Sequence, residues 1–498
     1  MIESGSPRYL HHNPNEGNPL LIDLYQLTMA QGYFLEGKQD YQASFAYSFR
    51  EHPFKGGFAV FVGVEAITQY LQNWGFGEQD VAWLGTLMAT DGTPLFKQDF
   101  LDYLLTLSFD LDIAAAPEGS IVFAGEPLVR VTGSLIVAQM LETALMNRLN
   151  FETLIATKAA RCCIAAQGDR VLEFGLRRAQ GPDGGISASR AAYIGGCSAT
   201  SNMEAARIYN IPVSGTIAHS WVMAHDSEQE AFEAWTRSSA NNSVLLVDTY
   251  DSMKGIAEAV KAAVELNKKG GNFLGIRLDS GDLAWLSKRA REALDAAGLQ
   301  DAKIFASNDL DEHTIVSLKS QGAVIDSWGV GTSLSTGGEQ AALGGVYKMT
   351  ALKKPGKDWE PKIKVSDQAV KTSTQGLLAV RRFFNDRGRP TGDMVYDLLD
   401  PPPAETIATI IDPFDMTRQK SFDPDLHHLE LLQPLFDGGK LVTQPRDATT
   451  IRDNVIENIK HLDRSHQRFM QPHRYPVGLE RSLFNRRLDL IERSKNLK

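Results

Sequence analysis

Between residues 170 and 332 the chain repeats one unit: a short β-branched run ending in small or polar residues, then an amphipathic stretch. The strand-like runs are RVLEFG (170–175), YIGGCS (193–198), IPVSGTIAH (211–219), VLLVDTYD (244–251), FLGIRLDSGD (273–282), KIFASND (303–309) and IDSWGVGT (325–332). Patterns such as SNMEAARIYN, SMKGIAEAVKAAVELNKKG, LAWLSKRAREALDAAG and EHTIVSLKSQG read as the intervening helices. The helix over 252–268 sets Ile256, Val260, Val264 and Leu266 along one side and stops at Gly270–Gly271. Strands alternating with helices imply parallel pairing through right-handed crossovers. Seven such units can close as a barrel or stay open as a doubly wound sheet.

The polar residues favour the barrel. Ser198, His219, Asp248, Asp251, Arg277, Asp279, Asn308, Asp309, Gly329 and Gly331 all fall at the expected C-terminal ends of these runs. A barrel builds its site from many such ends, whereas a doubly wound sheet concentrates ligand contacts at one switch point.

The flanks differ from this core. Residues 20–145 carry strand signals (ASFAYSFR, GGFAVFVGV, GSIVFAGEPLVRVTG) and helical ones (LIDLYQLTMAQGYF, EAITQYLQNWG). KKPGKDWEPK and DPPPAE punctuate the chain after residue 352. The basic-leaning last fifty residues read as helix, turn (QPHRYPVG) and helix, with a solvated helical face. The expected division is an N-terminal α/β domain (1–145) with 353–498 packing back on it, and an α/β barrel over 146–352.

At 498 residues and 43% hydrophobic content the chain has ample material for a large core. Its formal charge of −10 argues against a general nucleic-acid or anionic-membrane binder. The three cysteines, Cys162, Cys163 and Cys197, make neither a disulfide framework nor a zinc spacing. His11 and His12 read as a solvated arm. With no apolar leader-like run near the start, the expectation is a cytoplasmic protein without membrane spans.

Four stretches carry candidate chemistry. GIRLDSGD sets Arg277 and Asp279 two apart on one strand face, with Ser280–Gly281 opening the next helix. Guanidinium and carboxylate there suit a phosphorylated sugar, or else form a rim salt bridge. VLLVDTYDS supplies Asp248 and Asp251, the latter placed as an N-cap; it lacks the adjacent acids and Thr-Gly of the type I phosphoribosyltransferase loop. SWGVGTSLSTGG ends a strand in a Gly-rich turn that exposes backbone N–H groups to phosphate. His219 follows a strand end, whereas His225 beside Asp226 reads as part of a first helical turn; their six-residue separation is not a usual zinc pairing. No lysine stands at these strand ends, which argues against Schiff-base chemistry.

GTIAHS, EFGLRRAQGPDG, GGCSATSN, IRLDSGDL, SNDLDE and GVGTSL, in this order, resemble nicotinate phosphoribosyltransferases. So do NPLLIDLYQLTMAQGYF and REHPFKGGFAVFVGVEAI near the start, and LFDGGKLV and PHRYPVGLE near the end, so that the resemblance covers almost the whole chain. It implies an irregular, incomplete α/β (TIM-like) barrel with a smaller α/β domain built from both chain ends. It also implies transfer of phosphoribosyl from phosphoribosyl diphosphate to nicotinate, giving nicotinate mononucleotide and pyrophosphate, coupled to ATP with Mg²⁺, in a homodimer.

Residue by residue, the resemblance makes His219 the histidine phosphorylated from ATP. Arg277 and Asp279 become catalytic ribose-phosphate contacts, with Asp309 beside them, and Gly329, Gly331 and Thr332 the 5′-phosphate turn. Asp248 and Asp279 would meet the Mg²⁺-diphosphate. Phe174 would stack on the pyridine, Arg177 would oppose an anionic group, and Ser198 would replace the aspartate of nicotinamide-using relatives. Tyr25 and Arg50 would reach the partner's site, and Lys348 would meet diphosphate. The alternatives are a nicotinamide or quinolinate phosphoribosyltransferase of the same fold, a phosphate-binding barrel lyase or isomerase, and a non-catalytic paralogue.

Overall fold

The computed structural model describes residues 17–366, 368, 371–403 and 405–496; the His11–His12 arm lies outside them. The chain divides into two compact units. One comprises Leu154–Ala341 with Asp447–Ile456; the other comprises the chain through Thr153, Ala342–Arg446 and the stretch from Glu457 onward.

The first unit is built on six parallel strands: β1 (Arg170–Glu173), β2 (Ala199–Thr200), β3 (Ser243–Leu246), β4 (Phe273–Leu278), β5 (Lys303–Ala306) and β6 (Ser327–Val330). They pair in the order β2-β1-β6-β5-β4-β3. Consecutive strands are neighbours, the first pairs with the last, and the seam falls between β2 and β3. That is a barrel opened along one line; strand order shows no doubly wound reversal.

The seam explains two departures from the expected seven strands. YIGGCS is the end of a helix, Gly181–Ile194, and its following turn, with β2 beginning just after. A Cβ at Gly195 would meet the Ala156 carbonyl oxygen at 2.3 Å, so this helix end needs glycine to pack so closely. IPVSGTIAH makes only one isolated parallel bridge, Thr200 to Val213. Thr200 N–H donates to the Pro212 carbonyl and Ser214 N–H to the Thr200 carbonyl, both at 3.0 Å. Pro212 has no N–H to extend the ladder and Val213 is exposed, so the run stays a loop. His219 therefore leaves a loop, not a strand.

The helix Ser252–Lys268 buries Gly255, Ile256, Ala259, Ala262, Ala263 and Leu266; Val260 and Val264 are only half-buried. The small residues win because the helix lies so close that a Cβ at Gly255 would sit 1.9 Å from the Val247 carbonyl oxygen. Asp251 caps it as expected, accepting Lys254 N–H at 2.9 Å.

The other unit holds a seven-stranded antiparallel sheet and a six-stranded mixed one. Gln42–Phe49 lies inside the first, paired with Gly345–Lys353 and Val129–Ser134. Residues 345–352, expected in the barrel segment, thus belong here, while 447–456 belongs to the barrel unit. The C-terminal region is helix Ala448–His461, a turn, strand Val477–Glu480 and helix Arg481–Asn496. In this unit's core Arg382 meets Asp393 at 2.6 Å and Tyr475 donates to Asp393 at 2.9 Å. Burial, with the adjacent Asp393 charge, pushes the Glu126 carboxyl well above the usual carboxylate range. Among the described residues no helix is long and apolar enough to cross a membrane.

Candidate active site

Strand register brings the barrel-unit residues into one row. Leu246 opposes Arg277, Arg277 opposes Phe305, and Phe305 opposes Ser327. Two residues further along, on the same face, this places Asp248, Asp279, Ser307 and Gly329 side by side at the strand exits.

Asp279 is the hub of the row. Arg277 Nη2 meets its Oδ1 at 2.7 Å, and the Ser307 hydroxyl donates to the same oxygen. The other oxygen faces His219 Nε2 at 3.6 Å. Burial opposes the Asp279 charge, but Ser307, Arg277 and His219 together outweigh it and hold the carboxyl below its ordinary range. Arg277 also donates through Nε to Ser307 (2.7 Å) and through Nη1 to the Thr216 hydroxyl (2.9 Å). Three of its five N–H groups are therefore engaged, and the Thr216 contact ties the histidine loop to β4.

His219 opens a short helix, His219–Met223, with Nδ1 3.2 Å from the Thr249 hydroxyl. Both imidazole nitrogens thus face a polar side chain. His225 follows the C-terminus of that helix rather than lying in its first turn, its Nδ1 bonded to the Trp221 carbonyl at 2.8 Å.

Asp248 accepts through Oδ2 from Asp279 N–H (2.8 Å) and the Ser280 hydroxyl (2.6 Å). Its Oδ1 is buried without a hydrogen-bond partner. That orphaned oxygen fits a hard cation, and a site with one or two carboxylates that relies on substrate oxygens suits Mg²⁺. No cluster of three or more metal-ligating side chains occurs among the described residues.

Phe174 continues β1, its N–H bonded to the Val330 carbonyl at 2.9 Å. Its ring lies directly on Gly329: a Cβ there would come within 2.7 Å of the ring. The buried Glu173 behind it accepts from Ser189 at 2.9 Å, from Thr200 at 2.5 Å and from Gly175 N–H. Arg177 is exposed in the turn Leu176–Arg178. Gly331 caps Thr332–Thr336, so Gly329, Gly331 and Thr332 form one strand-to-helix turn. Asp309 is exposed and joins none of these contacts.

Ser198 is not at the strand exit. It precedes β2, its N–H bonded to the Val171 carbonyl at 2.8 Å, and the exposed hydroxyl at the exit is Ser201. Because YIGGCS is helix end and turn, the strand and its exit shift three residues along.

The remaining expected residues stand on the other unit. Tyr25 OH donates to Glu142 Oε2 at 3.2 Å, and Lys348 Nζ lies 3.6 Å from Glu142 Oε1. Burial and Glu142 push the Tyr25 phenol up to about 12. Arg50 and Lys348 line one cavity of about 110 Å³, together with Lys371, Thr372 and Ser373. Ser307, Thr216, Thr249, Ser201, Glu142 and Lys371 are thus contributors that motif reading passed over. Thr249 directly follows Asp248, Ser307 precedes Asn308 and Asp309, and Lys371 heads the hydroxyl run KTST.

Comparison with known proteins shows the family of the chain. The model of the nicotinate phosphoribosyltransferase N-terminal domain matches residues 20–150, that of the nicotinate phosphoribosyltransferase family 170–388, and that of the C-terminal domain 379–487. Nicotinate phosphoribosyltransferase of Bacillus subtilis is 40% identical, over 96% of each chain. That of Dictyostelium discoideum is 34% identical, over 94% of this chain and 87% of its own. The crystal structure of human nicotinic acid phosphoribosyltransferase superposes with a TM-score of 0.79 at 28% identity, covering 94% of this chain and 99% of its own. A nicotinate-nucleotide pyrophosphorylase from Pyrococcus furiosus, 22% identical, shares the fold (TM-score 0.69; 92% of this chain, 99% of its own). The chain is an enzyme that belongs to the nicotinate phosphoribosyltransferase family.

Proposed function

We propose that the protein transfers phosphoribosyl from phosphoribosyl diphosphate to nicotinate, releasing nicotinate mononucleotide and pyrophosphate, with ATP hydrolysis coupled through phosphorylation of His219. The observation that carries this is the placing of His219 between Thr249 and Asp279, with Arg277 fixed behind the carboxylate.

Asp279 facing Nε2 favours the tautomer with its proton there, which leaves the Nδ1 lone pair for nucleophilic attack. Nδ1 bonds to the γ-phosphorus of ATP as the bond to the departing ADP oxygen breaks; water later bonds to that phosphorus as the N–P bond breaks, releasing orthophosphate and restoring the imidazole. In the transfer step the C1′–O bond to pyrophosphate breaks and the pyridine nitrogen bonds to C1′ from the opposite face. Positioning and charge neutralisation carry that step. Asp248 and Asp279 would hold Mg²⁺, which neutralises diphosphate charge when bound. The two N–H groups of Arg277 without protein partners remain for a phosphate or ribose oxygen, and the Gly329–Thr332 turn offers backbone N–H groups to the 5′-phosphate.

Phe174 supplies one aromatic face for the pyridine. Ser201, rather than Ser198, supplies the hydroxyl where a carboxylate would repel nicotinate, and Arg177 supplies a compensating cation. Tyr25 and Arg50 would complete the site from the partner of a homodimer, and Lys348 would meet the diphosphate. The product enters pyridine-nucleotide biosynthesis.

A substrate panel tests the proposal: purified protein with nicotinate, nicotinamide or quinolinate, phosphoribosyl diphosphate and Mg²⁺, with and without ATP. Nicotinate mononucleotide, formed faster with ATP, is the expected result. Turnover of nicotinamide without turnover of nicotinate overturns it.

A further inference from the structure

The QPHRYPVG turn has no part in the chemistry above, yet it walls a cleft of about 660 Å³ together with the segment 410–420. A second cleft of about 430 Å³ adjoins it, with Lys420, His473 and Pro476 lining both. Six cations line the joined space, Arg387, Arg389, Arg418, Lys420, Arg468 and Arg474, against three carboxylates, Asp386, Asp412 and Asp463. The lining is thus basic in a chain whose formal charge is −10.

Local pairing leaves part of that charge uncompensated. Arg474 meets Asp412 at 2.8 Å and Arg389 meets Asp463 at 3.6 Å. Arg418 turns to Asp415 at 3.0 Å. Arg387 and Arg468 have no ion pair among the described residues. Lys420 donates one of its protons to the Thr391 carbonyl at 2.7 Å, which holds the ammonium at the junction of the two clefts. Burial there lowers its pKa, the direction that a bound anion would reverse. The wall of the first cleft also carries Pro472 and Val477 with the amides of Gln419 and Gln471, surfaces suited to an uncharged ring and its polar edge.

We propose that this joined cleft is a second anion site that binds a polyphosphate chain. The source the wall favours is a nucleoside di- or triphosphate, with the phosphates at Lys420, Arg387 and Arg468 and the nucleoside against the apolar and amide wall. Cations spread over two connected clefts match several phosphate groups better than one. None of these residues belongs to the candidate active site, so the inference does not rest on the proposed reaction.

The test is calorimetric titration of the full-length protein with a non-hydrolysable ATP analogue and, separately, with inorganic tripolyphosphate. Four forms are compared: wild type, His219→Ala, R387E/R468E and R387Q/R468Q. The expected result is a binding event that survives His219→Ala and weakens with salt. It should weaken at least about tenfold in R387E/R468E and less in R387Q/R468Q. Both double variants should keep wild-type melting and wild-type nicotinate turnover. A tighter analogue assigns the site to a nucleotide, and equal affinities assign it to an inorganic polyphosphate chain. Wild-type affinity in R387E/R468E, or no event beyond one lost in His219→Ala, overturns the proposal.

Discussion

Gly329→Ala tests how the aromatic platform is built. The added Cβ would lie 2.7 and 2.8 Å from two ring carbons of Phe174 and 3.4 Å from the Ser307 Cβ. Carbon atoms pack best at about 3.5–4.0 Å, so a gap of roughly 1 Å must be opened. β6 is held on both edges, by β1 and β5, so the half-exposed ring moves rather than the strand. Gly329 has no positive φ, so alanine adds no backbone strain and the clash is the whole cost. Overpacking of this kind costs about 1–3 kcal/mol. A displaced ring also loses stacking on a flat heterocycle, about 0.5–1.5 kcal/mol, which raises the nicotinate KM about two- to tenfold. The assay is a cycle of wild type, Gly329→Ala, Phe174→Ala and the double variant, read by thermal melts and nicotinate kinetics. Once the ring is gone the second substitution should cost little, giving a coupling of about 1 kcal/mol or more. Additivity of the two costs within about 0.5 kcal/mol, with an unchanged KM in Gly329→Ala, would refute this account of Phe174.

Three further outcomes follow from the electrostatics. Asp279 has a depressed folded-state pKa, so its contribution is present above the unfolded value near 4 and is lost as pH falls through the folded one; Asp279→Asn should lower the melting temperature at pH 7, by a margin that shrinks below about pH 4. Glu126 is raised instead, so the native state keeps a proton that the unfolded chain releases above about pH 4; Glu126→Gln should melt at the same temperature as wild type or higher, with an advantage that grows from pH 5 to pH 8 as measured by calorimetry. Glu142 holds both Tyr25 and Lys348, so Glu142→Gln should raise the KM values for nicotinate and phosphoribosyl diphosphate while changing the unfolding free energy by less than about 1 kcal/mol; steady-state kinetics that match wild type would separate those residues from the reaction.

The barrel unit was largely legible because its strands carry a period that the sequence displays. β1, β4, β5 and β6 fall within runs picked out by their β-branched residues, β3 begins one residue before its run, and Arg277, Asp279 and Asp248 stand at their exits. YIGGCS reads as a strand because a short apolar run ending in glycines looks the same as helix end or strand. In the structure the strand begins at Ala199, so the exit hydroxyl is that of Ser201 and not Ser198. Pro212 was the available warning in IPVSGTIAH, since a proline cannot donate within a ladder. Ser307 and Thr216 were invisible for another reason. Their roles come from cross-strand register and loop return, which join residues 30 and 61 positions from Arg277. A unit assembled from both chain ends is expected from the sequence, but the strand order of its seven-stranded sheet is not, since it depends on pairings between distant segments such as Gln42–Phe49 with Gly345–Lys353.

The central claim is that His219 carries a phosphoryl group from ATP. Incubation with γ-³²P-ATP and Mg²⁺, followed by peptide mapping, tests it most directly. The account predicts an acid-labile, base-stable label on the peptide containing His219, absent from His219→Ala along with ATP-stimulated product formation. Full labelling of His219→Ala, or an unlabelled wild type that still couples ATP hydrolysis to nucleotide formation, would contradict it.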